Sequence, residues 1–362
     1  MKILLVAYSS HDYEYVKNTG TKGVVDDIHN KLIADNHQVD VISNYTDLNR
    51  SVLKRGQTSK LITQYTNNTK YEAIVIHQNH FIISPILSAL SSSPSTTVIV
   101  TFHLPPASIL SYNLGFKDLN NVLESNPEYV SRLKLTFVTP VGRLYEQSFK
   151  ILDSYPIIKS ISYAVHNPIS DINPSLEYVE RDIDLVFIGR LEPHRDPKLI
   201  IRIANDNPSK KIYVLGGPSK SDAKYSESII DNMSKVSNIT YLGPVPKKTV
   251  YDILSRSKFF LMNSKFEASS ISVLEALYHG VKVINVRTPS VKTMELESIF
   301  DNFIYQYDEE TYNPRKIVKY NLDDYEEATN NDRLIMQKEL LKYYSIDKVI
   351  SEYINLINDL HV

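Results

Sequence analysis

Two glutamates and a cluster of serines have the types and spacing that chemistry requires. Glu267 and Glu275, with seven residues between them, lie in the stretch SKFEASSISVLEALYHGVKVI at 264–284. One apolar run, FFLMN (259–263), leads into it and another, VKVINV (281–286), closes it. The pattern predicts a helix over 270–279 with Gly280 as its C-terminal stop. Glu267 then falls in the loop before the helix, and Glu275 in its second turn. Ser269, Ser270, Ile271 and Ser272 occupy the helix start. Backbone N–H groups without intrahelical partners make that end an anion site. A phosphate could rest there, with Glu275 within reach of ribose hydroxyls and Glu267 of a sugar. Taken singly, the serines read equally as ordinary N-caps and Glu275 as a solvated helical side chain. The whole order of strand, glutamate, small residues, helix, second glutamate, glycine and strand is what points to a site.

Such residues need strands and loops to hold them. Short apolar runs recur: KILLVAY (2–8), VDVIS (39–43), AIVIH (73–77), TVIVTFH (97–103), LTFVT (135–139) and SISYAVH (160–166). A second series follows, with DLVFIGR (184–190), KIYVLGG (211–217), ITYLG (239–243), FFLMN and VKVINV. Runs rich in Val and Ile suit parallel strands covered on both faces, and helix-like stretches alternate with them. That is the pattern of doubly wound α/β sheets. A chain of 362 residues exceeds one ordinary core. The two series predict an N-terminal Rossmann-like domain over 1–166 and a polar, proline-containing linker over 167–182. A C-terminal Rossmann-like domain over 183–345 follows, then an amphipathic helix over 346–362 with Ile346, Val349, Ile350, Tyr353, Ile354 and Ile357 at helical spacing. Ligands bind beyond the carboxyl ends of such strands, so two domains facing a central cleft would draw a site from loops of both.

Composition narrows the chemistry. The net charge of −2 leaves any electrostatic partner to a local patch rather than to the whole chain. There is no cysteine, which excludes disulfides, thiolate metal sites and a cysteine nucleophile. No run of 18 apolar residues is present, so no membrane-spanning helix is expected. The apolar core of MKILLVAYSS is shorter than a signal-peptide core and reads as a first buried strand, with a cytoplasmic location the simple expectation.

The 264–284 segment resembles the E-x7-E motif of retaining GT-B glycosyltransferases, in particular family four of that class. Glu267, Leu274, Glu275, Ala276, Gly280, Val283 and Ile284 match it. Ala268, Ser269 and Ser270 stand where the family usually has Gly-Phe-Gly, and Lys282 where it has proline. VFIGRLEPHRDPKLI (186–200) resembles the family's G-R-L-x-x-x-K-G turn, beginning at Gly189. Arg190 falls on the arginine that grips the donor diphosphate, Arg195 on the usual lysine, and Asp196 on the usual glycine. VLGGP (214–218) and the stretch at 241–264 extend the likeness. In the first half, 18–43 resembles the family's glycine loop, long helix and second strand, with Gly20 and Gly23 letting backbone approach phosphate. His103 matches a histidine that reaches the donor sugar near the reacting carbon, and Asn167 an asparagine just before the linker.

The resemblance implies a GT-B fold and a glycosyltransferase that moves a sugar, with retention, from a nucleoside-diphosphate sugar to a hydroxyl acceptor. The nucleotide sugar is a co-substrate, and no cofactor or metal is implied. The only D-x-D triplet, 182–184, lies where the linker meets a strand, and no H-E-x-x-H occurs. G-x-S-x-G, the P-loop and G-x-G-x-x-G after the first strand are likewise missing from the sequence. A glycan or lipid-linked saccharide is the expected acceptor. An alternative is DNA carrying hydroxymethylated bases, because Arg50, Lys54, Arg55, Lys60 and Lys70 are opposed only by Asp47 in 44–70. That segment reads equally as solvated surface. A nucleotide-sugar epimerase, or a binding protein that kept the fold without the chemistry, are the other readings.

Overall fold

The structure is a computed structural model describing residues 1–8, 20–43, 57–78, 81–103, 110–138, 150–169, 180–219, 222–264, 269–286, 303–306 and 321–359. The chain divides into two compact units, one formed by Met1–Asp171 with Tyr343–Val362, the other by Ile172–Lys342.

In the first unit six strands pair in parallel: β1 (Lys2–Tyr8), β2 (Gln38–Ser43), β3 (Ala73–Gln78), β4 (Thr97–Phe102), β5 (Leu133–Val138) and β6 (Ser162–Val165). Their order is β2-β1-β3-β4-β5-β6. Every residue of β3 and β5 is buried, which is why their sequences run apolar without alternation. Helices α1 (Gly20–Ala34), α2 (Gln57–Asn68), α3 (Ile83–Ser92) and α4 (Leu110–Ser125) connect them. Gly20 and Gly23 stand in the first turn of α1 rather than in a loop. The two glycines expected in a loop thus lie at the helix start, where N–H groups have no intrahelical partner. One face of the sheet is packed by stacked and edge-on Phe81, Phe102, Phe116 and Phe137.

The other face carries polar side chains in register. His77 lies opposite Thr101, and Thr101 opposite Thr136. All three are fully buried. A row of that kind must be satisfied from outside the sheet.

The second unit repeats the plan with β7 (Ile183–Ile188), β8 (Ile212–Leu215), β9 (Ile239–Gly243), β10 (Ser257–Met262), β11 (Lys282–Asn285) and β12 (Ile304–Gln306). The order is β12-β11-β10-β7-β8-β9, again wholly parallel. Its helices are α5 (Lys198–Asp206), α6 (Ala223–Ser234), α7 (Lys247–Ser255) and α8 (Ile271–Tyr278), with α9 (Asn330–Tyr344) running to the boundary of the units.

The last helix, α10 (Ile346–Ile357), belongs to the first unit. Ser345 caps it, accepting from the Lys348 N–H at 3.2 Å. It buries Ile346, Val349, Ile350, Tyr353 and Leu356. Tyr353 Oη meets Thr101 Oγ1 at 2.9 Å, and Thr101 in turn accepts from Thr136 Oγ1 at 2.8 Å, so the helix satisfies part of the polar row. Ion pairs Lys31–Asp347 and Lys134–Asp359, each 2.6 Å, hold its two ends. No helix among the described residues is long and apolar enough to cross a membrane.

Candidate functional site

In the second sheet β7 lies between β8 and β10, so the connections leaving β7 and β10 part in opposite directions. The space beyond their carboxyl ends is the crevice where ligands bind in doubly wound sheets. Arg190 and Arg195 leave β7 on one side, while Asn263, Ser264 and the start of α8 follow β10 on the other. The two loops are joined directly. Arg195 Nη1 donates to Ser264 Oγ at 3.3 Å, and Asn263 Nδ2 donates to the carbonyl of Asp196 at 2.9 Å. Asp196 holds φ 38° and ψ 60°, the left-handed conformation that glycine adopts freely and Asp tolerates. The resembling family's glycine at this position therefore reflects a backbone demand that Asp196 also meets.

Gly189 lets the arginine close over the loop. A Cβ there would lie 3.3 Å from Arg195 Cδ and Nη1. Arg190 is partly exposed and pairs through Nη1 with Glu192 Oε1 at 2.7 Å, while His194 Nδ1 meets the other oxygen at 3.1 Å. Glu192 is buried, so a carboxylate within the turn fixes the Arg190 and His194 side chains.

Helix α8 opens with Ser270 as its N-cap, yet the Ser270 side chain makes no capping hydrogen bond. The Ser270 hydroxyl instead meets that of Ser272 at 3.1 Å. The positive end of the helix favours an anion there. Ser269 and Ile271 flank this cap, both half-buried. The helix ends as its glycine predicts. Val281 N–H bonds to Ala276 O at 2.9 Å and Gly280 N–H to Leu277 O at 2.8 Å, a Schellman closure with Gly280 at φ 69°.

Glu275 is not the solvated glutamate that its sequence position allows. It is buried, with Oε1 3.2 Å from Lys247 Nζ and 3.3 Å from Tyr251 Oη, both on α7. Tyr251 stacks on His279, which presses α7 against the end of α8. Lys247, Tyr251 and Glu192 were silent in the sequence. Only Ser264 carried a signal, as the residue leaving a strand toward the motif.

The D-x-D carboxylates are spent on cations. Asp182 is bound by Arg256 Nε and Nη2 at 2.8 and 2.6 Å, which holds its carboxyl below its usual range, and Asp184 meets Lys258 Nζ at 2.9 Å. Among the described residues no group of three or more His, Asp or Glu is arranged to hold a metal.

In the first unit His103 sits just past the end of β4, on the same face as His77. His77 Nδ1 and His103 Nε2 are 3.1 Å apart. Burial lowers the basicity of both rings, bringing His103 down to about 4 against a partly opposing hydrogen bond with Asn167. His103 is therefore neutral at physiological pH. Lys60 is exposed on α2, whereas Glu267, Arg50, Lys54 and Arg55 lie outside the described residues.

Comparison with known proteins agrees with the second unit's plan. Residues 169–312 match the family model of glycosyl transferases group 1. D-inositol 3-phosphate glycosyltransferase from Mycobacterium leprae is 24% identical over 103 residues, 28% of this chain and 24% of that protein. The chain thus spans about a quarter of the length of the relatives it matches. Among solved structures, Anabaena HepE in complex with UDP superposes with a TM-score of 0.67 at 11% identity, covering 99% of this chain and 100% of that one. AviGT4, a glycosyltransferase involved in avilamycin A biosynthesis, gives 0.60 at 13% identity, covering 99% and 97%. The fold is that of the GT-B glycosyltransferases.

Proposed function

We propose that the chain is a retaining glycosyltransferase that moves a sugar from a nucleoside-diphosphate sugar to a hydroxyl acceptor. The observation that carries the reading is the switch point of the second sheet, where Arg195 bridges to Ser264 beside the N-terminus of α8. It lies within the segment that matches glycosyl transferases group 1. Two fixed guanidinium groups and a helix start, with Gly189 leaving room above them, are suited to a diphosphate leaving group. Preorganised donors of this kind stabilise the charge that develops as the glycosidic bond breaks. In this reading Arg190 and Arg195 hold the phosphates with the N–H groups of Ser269, Ser270 and Ile271. Glu275, already oriented by Lys247 and Tyr251, takes the ribose, and Glu267 takes the transferred sugar. Neutral His103 offers a hydrogen bond to the sugar, while Gly20 and Gly23 bring the start of α1 toward the nucleotide.

Charge neutralisation by arginines and helix N–H groups leaves no role for a metal, and the bound carboxylates of the D-x-D triplet fit that proposal. The acceptor we favour is a glycan or lipid-linked saccharide, and the site of action the cytoplasm. Uridine diphosphate is the first ligand to test, since the HepE structures hold UDP and UDP-glucose. Calorimetry should register binding of at least one of the uridine, guanosine, adenosine and thymidine diphosphates. Silence with all four would end the donor-site reading. Proton NMR of the transferred sugar's anomeric signal then tests retention.

A further inference from the structure

His77 and His103 come from neighbouring strands, and the register of β3 on β4 places them on one face. Their rings lie 5.2 Å apart with planes 25° from parallel, and Nδ1 of His77 faces Nε2 of His103 at 3.1 Å. Two neutral imidazoles can share that contact in only two ways, because exactly one of the facing nitrogens must carry the hydrogen. The rest of His77 decides between them. Its Nε2 is buried and has no hydrogen-bond partner. The neighbour packed on that ring is Tyr353 of α10, at 6.1 Å between centroids, whose hydroxyl is engaged with Thr101. A hydrogen on Nε2 would be a buried donor with no acceptor, and native proteins avoid orphaned N–H groups more strictly than orphaned acceptors. The hydrogen therefore sits on Nδ1.

From this we infer that His77 is a positioning residue: its Nδ1–H donates to His103 Nε2 and so confines His103 to the tautomer protonated at Nδ1. The inference deepens the donor-site reading, on which the role of His103 rests. With Nε2 occupied, Nδ1–H is the group His103 has left for an oxygen of the sugar, so its contribution is a donated hydrogen bond. Burial lowers the basicity of both rings and so keeps the pair in its neutral form.

Histidine side-chain nitrogen NMR on the full chain at pH 7 tests the assignment. Both rings should show protonated Nδ1 and bare Nε2. In His77→Leu, His103 should pass to a mixture of tautomers, and His77→Asn, which restores an amide group near the Nδ1 position, should return it to one. Turnover of the nucleotide sugar should fall roughly tenfold or more in His77→Leu, recover in His77→Asn, and leave the KM for the donor unchanged. A wild-type His103 carrying its hydrogen on Nε2, or an unaltered tautomer in folded His77→Leu, would overturn the inference. A wild type that binds no nucleotide would remove the donor reading alone, because the tautomer is read without any ligand.

Discussion

Arg195 shows how a single guanidinium depends on what is missing beside it. Gly189 leaves its side chain room, and Ser264 takes one of its donors across the switch point. Charge-assisted hydrogen bonds contribute about 1.5–3 kcal/mol, so Arg195→Ala is expected to weaken nucleoside-diphosphate binding by roughly 10- to 100-fold. Arg195→Lys should recover part of the loss, since it restores charge without the planar fork. Calorimetry decides, and an unchanged affinity in the alanine variant would remove Arg195 from the phosphate site. The histidine pair gives a pH signature of defined sign. His103 takes up its proton near 6.5 when unfolded and only at about 4 when folded. Between those values the unfolded chain binds more protons, so stability falls as pH drops through that window and is fully present above it. His77 is shifted in the same direction. The unfolding midpoint should therefore fall less steeply from pH 6.5 to 4 in His77→Phe than in wild type; equal slopes would place the acid sensitivity elsewhere.

Strands and turns act on the site through backbone. Gly216, at the end of β8, has φ 127°, and a Cβ there would lie 2.0 Å from the carbonyl oxygen of Gly189. Gly216→Ala must push away the exit of β7, which carries both arginines. The left-handed penalty is about 1–2 kcal/mol, and the displaced loop adds to it. Thermal stability and diphosphate affinity should fall together in that variant; lower stability with intact affinity would mean the loop moves independently of β8. Helix α8 shows how local signals reach a site. At its start the Ser270 and Ser272 hydroxyls meet each other, and its end is closed by Gly280.

At the scale of the molecule, α10 is a structural part of the unit that begins the chain. It buries five apolar side chains there and supplies Tyr353 to the polar row beneath His77. Removing a large buried apolar side chain typically costs about 2–5 kcal/mol, and five of them exceed the whole stability of an ordinary domain. A chain ended at Lys342 should therefore lose cooperative unfolding of the first unit. Hydrogen exchange would report it as lost protection in β4 and α1. Protection equal to wild type would reduce α10 to an ornament on that surface.

All the strands except β12 were readable in the sequence, because central parallel strands are buried on both faces and must be apolar throughout; β12, at the sheet edge and three residues long, was not. Gly280 was readable because ending a helix in the left-handed conformation is a local demand that few residues meet. Arg190 and Arg195 were readable through the resemblance of 186–200 to a glycosyltransferase turn, and the start of α8 through its serines and the strand before it. The pairing of His77 with His103 was not, because it depends on the register of β3 against β4, and the runs AIVIH and TVIVTFH carry no mark of that alignment. Nor was the burial of Glu275 between Lys247 and Tyr251, which requires α7 to lie against α8. Tertiary structure decided these contacts for one reason. A hydrogen bond between distant residues is set by how elements pack, whereas a strand or a helix stop is set by the residues within it.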